Sequence, residues 1–176
     1  MTLKNNFELL AEYNQWINMQ FYQAAAQLTQ PQLDKEKGSY FGSISGTLNH
    51  ILVGDIIWLK RFSSHPANFT ALQGLQEFEA PVSLNQRLYA NFVDMREARR
   101  CIDEIVLSFC GELNEMDLEH RLSYNNSKGL PFQKNFGSLL QHFFNHQTHH
   151  RGQASTLLFQ QGIDVGVTDL LMKIPD

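Results

Sequence analysis

Residues 141–153, QHFFNHQTHHRGQ, place four of the chain's seven histidines inside a run whose flanks, Phe136 to Phe144 and Ala154 to Phe159, read as buried helix. An α-helix turns about 100° per residue and stacks positions three and four apart on one face. Phe136, Leu139, Leu140, Phe143, Ala154, Leu157 and Leu158 then share a face that defines the inward direction. His150 lies well inside that face and His146 at its edge, while Gln147 and Arg151 also point inward. His142 and His149 project further round, toward the polar side. Burying such groups unpaired costs several kcal/mol, so a helix interrupted this way requires partners from neighbouring elements.

His146 and His150 are one turn apart, about 6 Å along the axis, close enough for both imidazoles to reach one metal ion. A helical pair supplies two ligands, and a third must come from elsewhere. The other reading is a pair of core or half-solvated histidines satisfied by neighbouring side chains. Helical periodicity alone leaves both open.

The other helices follow from the same periodicity. From about Asn5 to Thr29, the residues Phe7, Leu10, Asn14, Ile17, Phe21, Ala24 and Leu28 repeat at alternating intervals of three and four, the seam of a bundle helix. Pro31 and a polar connection through Gln32 to Ser39 follow. A second helix is predicted from Phe41 or Ser43 to Phe62, with Asp55 in the middle of its apolar stripe and His50 on a narrower second strip with Gly46, Val53 and Ile57. A carboxylate at that position should be paired, and Arg151 is a candidate partner. Residues 63–82 read as a long connection with a helical turn around Leu72 to Phe78. Ser83 and Gln86 have the spacing of a capping box, so the third helix is predicted to start there and to end near Gly111. Its charged residues, Arg99 and Asp103 among them, read as a solvated outer face. Residues 118–132 suggest a two-stranded hairpin with Pro131 on an edge strand. A fourth helix, from about Asn135 to Gln161, is stopped by Gly162. The tail is expected to pack back through Val165, Val167, Leu170, Leu171 and Ile174. The predicted class is therefore all-α, a four-helix bundle with a long connection between helices 2 and 3 and a short β-hairpin before helix 4.

A chain of 176 residues suits one domain, 1–176. The formal charge of −4 and pI near 5.9 offer no basic face for nucleic acid. No targeting segment or bilayer-spanning run is evident, and the expected setting is soluble and cytoplasmic, without membrane partners. Cys101 and Cys110 fall on opposite sides of one helix and are expected to be free thiols in a reducing compartment. Glu-x-x-His pairs, His-Glu-x-x-His, Cys-x-x-Cys and glycine-rich phosphate loops are all missing, which removes the di-iron, zincin, structural-zinc and nucleotide readings.

Four segments together resemble the DinB-like (DinB/YfiT) superfamily of metal-dependent enzymes: EYNQWIN in the first helix, LNHILVGDIIWLKRF in the second, NHQTHHRGQ in the fourth, and GIDVGVTDLL in the tail. The resemblance spans nearly the whole chain in the right order. Its most specific part is His-x-x-x-His-Arg-Gly-Gln paired with an upstream histidine. It implies a four-helix bundle, a divalent metal on three protein ligands, and a homodimer. The upstream histidine matches His50, and the pair matches His146 and His150; His142 and His149 inherit no role. Three neutral imidazoles suit zinc or nickel, with iron or manganese also accommodated. By the same resemblance the expected chemistry is activation of water or a small thiol, with a low-molecular-weight-thiol S-transferase as the leading class and a metal-dependent hydrolase as the alternative. A non-enzymatic metal-binding or structural bundle is the competing reading, and no catalytic acid or base is assigned.

Overall fold

The computed structural model describes residues 2–175. Four long helices carry the fold: α1 (Leu3–Ala25), α3 (Ile44–Phe62), α4 (Phe92–Glu112) and α6 (Phe136–Phe159). Short helices α2 (Gln30–Asp34) and α5 (Glu115–Glu119), and 3-10 turns at Thr70–Glu77 and Leu170–Lys173, lie in the connections. Strands β1 (Arg121–Asn125) and β2 (Pro131–Asn135) form the antiparallel hairpin that leads into α6, with Tyr124 opposite Phe132. No helix among the described residues is long and apolar enough to cross a membrane.

Each long helix begins where a short polar side chain caps it. Thr2, Ser43, Asn91 and Asn135 accept from the backbone N–H three residues on, satisfying a donor that the helix cannot satisfy itself. At the end of α6 the chain turns at Gly162, whose φ of +75° an L side chain rarely adopts, and Ile163 N–H returns to Leu158 O at 3.1 Å.

α1 packs chiefly on α4, and α3 on α6. The α3/α6 pair is antiparallel, and its register is read from its contacts. Phe62 meets Phe136 and Phe143 at one end, Asp55 meets Gln147 in the middle, and His50 meets His150 toward the other end. Phe62, Phe109 and Phe136 interlock edge and face as the apolar floor beneath the polar middle.

Several expectations are corrected. The third helix starts at Phe92 with Asn91 as its cap, nine residues after Ser83. Residues 83–91 are held open because α3 side chains occupy their backbone: Asn49 Nδ2 donates to Gln86 O at 2.7 Å, Leu88 N–H donates to Asn49 Oδ1 at 2.9 Å, and His50 bonds Leu84 O. A helix there would require the same groups. Gln86 caps locally instead, accepting from Val82 N–H. The first helix ends at Ala25 rather than near Thr29, and Thr29 opens α2 with Gln32 in a capping box, Pro31 sitting in its first turn. In the tail, Val165 and Leu170 pack inward, but Val167, Leu171 and Ile174 are exposed.

Arg99 and Asp103 are buried, not solvated. Arg99 is paired with Asp55 through Nη1 and with Asp103 through Nη2. Asp55 therefore does not pair with Arg151; its other oxygen accepts from Gln147 Nε2 at 2.7 Å. Arg151 instead donates to Asn14 Oδ1 and Asn18 Oδ1, and both of those amides donate to Asp103. Two guanidiniums and two carboxylates thus balance in a network that ties all four long helices together. Burial lowers the Arg151 pKa to about 10. Burial raises that of Asp103 to about 6 against the pull of Arg99.

Candidate metal centre

Directly above this network, α3 and α6 bring three imidazoles together. One nitrogen from each of His50, His146 and His150 lies within 4.8 Å of the others. His50 and His150 are buried and His146 is half-buried, its ring packed against Gly54. His142 and His149 flank the group without joining it: His142 packs on the Trp58 ring and His149 edges on His150.

Hydrogen bonds hold the far nitrogen of two of the rings. Leu84 O lies 3.0 Å from His50 Nδ1, and a carbonyl only accepts, so the proton sits on Nδ1 and Nε2 is bare. Gln153 Oε1 lies 2.9 Å from His150 Nδ1 and its Nε2 lies 3.2 Å from His149 Nε2, and with the amide in this orientation the His150 proton sits on Nδ1 as well. His50 Nε2 and His146 Nε2 are 3.2 Å apart. Two nitrogens each bound at 2.0–2.1 Å to one tetrahedral ion are about 3.3 Å apart, so that separation already matches. Acceptors holding the far nitrogen are the usual support of a ligating histidine.

Burial keeps these rings neutral, the form that ligates. It lowers the pKa of His50 and His150, and takes His146, with the neighbouring histidines adding to the effect, down to about 3. The donor set and its protonation therefore fit a divalent transition metal.

Two close approaches shape the site. Phe41 stacks on His50 at 3.7 Å between ring centroids and meets His150 edge-on, covering one side with hydrocarbon. It can do so because Gly46 has no side chain: a Cβ there would lie 2.0 Å from Phe41 O. Gly54 makes the same allowance for His146. Helical spacing had selected His146 and His150, and the resemblance had supplied His50. Gln153 closes the His-x-x-x-His-Arg-Gly-Gln run without a role assigned to it there, and Gly54 and Leu84 carry no site signal in the sequence, because a missing Cβ or a backbone carbonyl acts without a recognisable residue type.

The DinB family model matches residues 1–175. Protein DinB of Bacillus subtilis (strain 168) is 26% identical over 160 residues, covering 91% of this chain and 88% of the relative.

Proposed function

The chain belongs to the DinB family, and from that premise we propose that His50, His146 and His150 hold one divalent transition metal ion, with zinc or nickel as the best fit, that serves to activate a low-molecular-weight thiol for transfer. The observation that supports it most strongly is the convergence of the three rings with Nδ1 of His50 and of His150 each tied to an acceptor. Three protein ligands leave positions for an exogenous group, the pattern of a catalytic rather than a closed structural site.

When bound, the ion supplies Lewis acidity that lowers the pKa of a coordinated thiol or water. The chain's own residues set the conditions for that chemistry. Leu84 and Gln153 hold the far nitrogens of His50 and His150, and Phe41 covers one side with hydrocarbon. The converging group contains no carboxylate to serve as general base, and the buried Asp55 and Asp103 are committed to Arg99. A thiol, with a free pKa near 8.5, needs only a modest push to ionise, whereas water needs a far larger one. This favours thiol transfer over hydrolysis.

Elemental analysis of the untagged protein tests the site. About one equivalent of metal per chain is expected, lost in His146→Ala and in His150→Ala, strongly weakened in His50→Ala, and kept in His142→Ala. Full metal content in the His146→Ala/His150→Ala protein would overturn the assignment. With the metal identified, consumption of thiols with an electrophilic acceptor, compared with ester and amide hydrolysis, separates the two reaction classes.

A further inference from the structure

On α3, His50, Gly54, Trp58 and Arg61 follow one another at intervals of four, four and three residues, a single stripe along the helix. The facing stripe of α6 runs His150, His146, His142. The two meet rung by rung: His50 touches His150, Gly54 touches His146, and the Trp58 ring lies 5.1 Å from that of His142. The proposed metal ligands occupy one end of this double stripe. Arg61 stands at the other.

Arg61 is half-buried and held in place, yet its charge is unpaired. Its guanidinium carbon lies 4.6 Å from the Trp58 ring centroid and 5.0 Å from that of Tyr124, in the angle between two rings tilted by 61°. Tyr124 belongs to the hairpin and is backed by Phe132, so the guanidinium is fixed from α3 and from β1 at once. Ring faces attract the charge but leave the planar fork of N–H donors to be satisfied elsewhere. Among the described residues no side chain or carbonyl accepts from that fork, and no carboxylate neighbours it. Partial burial therefore works against the charge with nothing anionic beside it to compensate. Arg87, Arg99 and Arg100, by comparison, each pair with a carboxylate, and the buried Arg151 with two amides. α3 ends and α6 begins at this end of the pair, where Phe62 meets Phe136, so their opposed macrodipoles offset and Arg61 sets the sign of the charge.

Gly54, against His146, and Arg61 are seven residues apart, about 10 Å along the axis at 1.5 Å per residue. One guanidinium balances one negative charge, and its fork matches the two oxygens of a carboxylate. We propose that Arg61 anchors a carboxylate of the thiol substrate whose sulfur the metal holds, the substrate lying along the stripe past Trp58 and His142 with on the order of 10 Å between its two ends. This inference rests on the metal site proposed above and adds to it the charge and the length of the molecule it takes.

The test is calorimetric titration of the zinc-loaded whole protein with two thiols that differ by one charge: ω-mercaptooctanoate, whose extended chain spans that distance, and its neutral amide. Wild type is expected to bind the acid about tenfold tighter than the amide, or roughly 1.4 kcal/mol. Arg61→Gln should abolish that preference and leave the amide affinity in place, and Arg61→Lys should restore part of it, since it returns the charge without the fork. The shorter ω-mercaptobutyrate and its amide cannot span the stripe, so their ratio should not respond to Arg61→Gln. Acid and amide are compared within one protein, so any stability lost with the ring contacts lowers the stoichiometry of both and not their ratio. An arginine that only clamped Trp58 to the hairpin would leave acid and amide alike. Equal binding of the long pair by wild type, a preference that survives Arg61→Gln, or the same dependence on Arg61 in the short pair would each overturn this inference while the metal assignment stands. A wild-type protein that retains no zinc would overturn both.

Discussion

Gly54 and His146 touch with nothing between them: a Cβ on Gly54 would lie 2.6 Å from His146 Cε1 and 3.1 Å from its Nδ1. The neighbours Asp55 and Gln147 are bonded across the same helix pair, so the backbones cannot separate to make room without breaking a buried contact. In Gly54→Ala the imidazole has to turn instead. Alanine in a helix interior is worth up to about 1 kcal/mol over glycine, which offsets part of the crowding. The expected result is a melting temperature shifted by only a few degrees together with a metal affinity reduced about tenfold or more, read by competition with a chromophoric chelator. Unchanged affinity would show that His146 does not ligate in the position described.

The charge network beneath the site makes a second, independent prediction. Asp55→Asn keeps the volume and an acceptor but leaves Arg99 and Arg151 buried against Asp103 alone. Breaking one partner of a buried pair costs about 3–5 kcal/mol, because the remaining charge is uncompensated. Urea unfolding should show a loss of that order. The exposed pair Arg100–Glu97 on the same helix is the control, and Glu97→Gln should leave the midpoint in place.

That network also shows where reading the sequence succeeds and where it stops. Helical spacing placed His150, Gln147 and Arg151 inward on α6, His146 at the edge of that face, and Asp55 inward on α3, as found, because an apolar stripe fixes a direction that any intruding polar residue shares. It assigned Arg99 and Asp103 outward, since they sit among Arg96, Glu97, Arg100 and Glu104 and local charge density resembles a solvated face. The missing signal was on the other helices. Asn14 in the seam of α1 and Asp55 in the stripe of α3 are polar groups that call for buried polar partners, while Asn18, one turn on from Asn14, lies outside the seam the spacing picks out. His50 stayed ambiguous for a different reason: its strip is narrow and its support is a carbonyl in a segment whose capping pattern imitates a helix start.

The open segment gives a third prediction. Asn49 closes two bonds to it, and Leu84 within it holds the His50 ring. Asn49→Ala releases both clamps, each worth about 1 kcal/mol net. Amide exchange is expected to accelerate over residues 84–90, and metal affinity to fall by several-fold as His50 loses its fixed tautomer. Protection in that segment equal to wild type would mean that the strap is held by its other contacts.

The pH dependence of stability follows from His65, far from the proposed metal ligands. Its ring is 3% exposed, stacked on Phe69, and Nδ1 accepts from Ala67 N–H at 3.1 Å. Protonating Nδ1 removes that acceptor. Burial, helped by the neighbouring His120, holds the folded pKa below the ordinary 6.5, with Asp117 opposing. Below pH 6.5 the unfolded chain therefore takes up a proton that the folded chain refuses. The stabilising contribution is present in full above about 6.5 and is lost as pH falls through the lowered folded pKa, with a limiting slope of about 1.4 kcal/mol per pH unit for one proton. His65→Asn keeps an acceptor for Ala67 N–H and does not titrate. The mutant should be less stable than wild type at pH 7.5 through lost aromatic packing, and the gap should narrow between pH 6.5 and 5 as the wild type alone loses the His65 contribution. The histidines distant from His65 titrate in both proteins, so the difference between the two urea midpoints reads His65 together with its coupling to His120. Parallel profiles would show that the ring is protonated as readily in the folded chain as in the unfolded one.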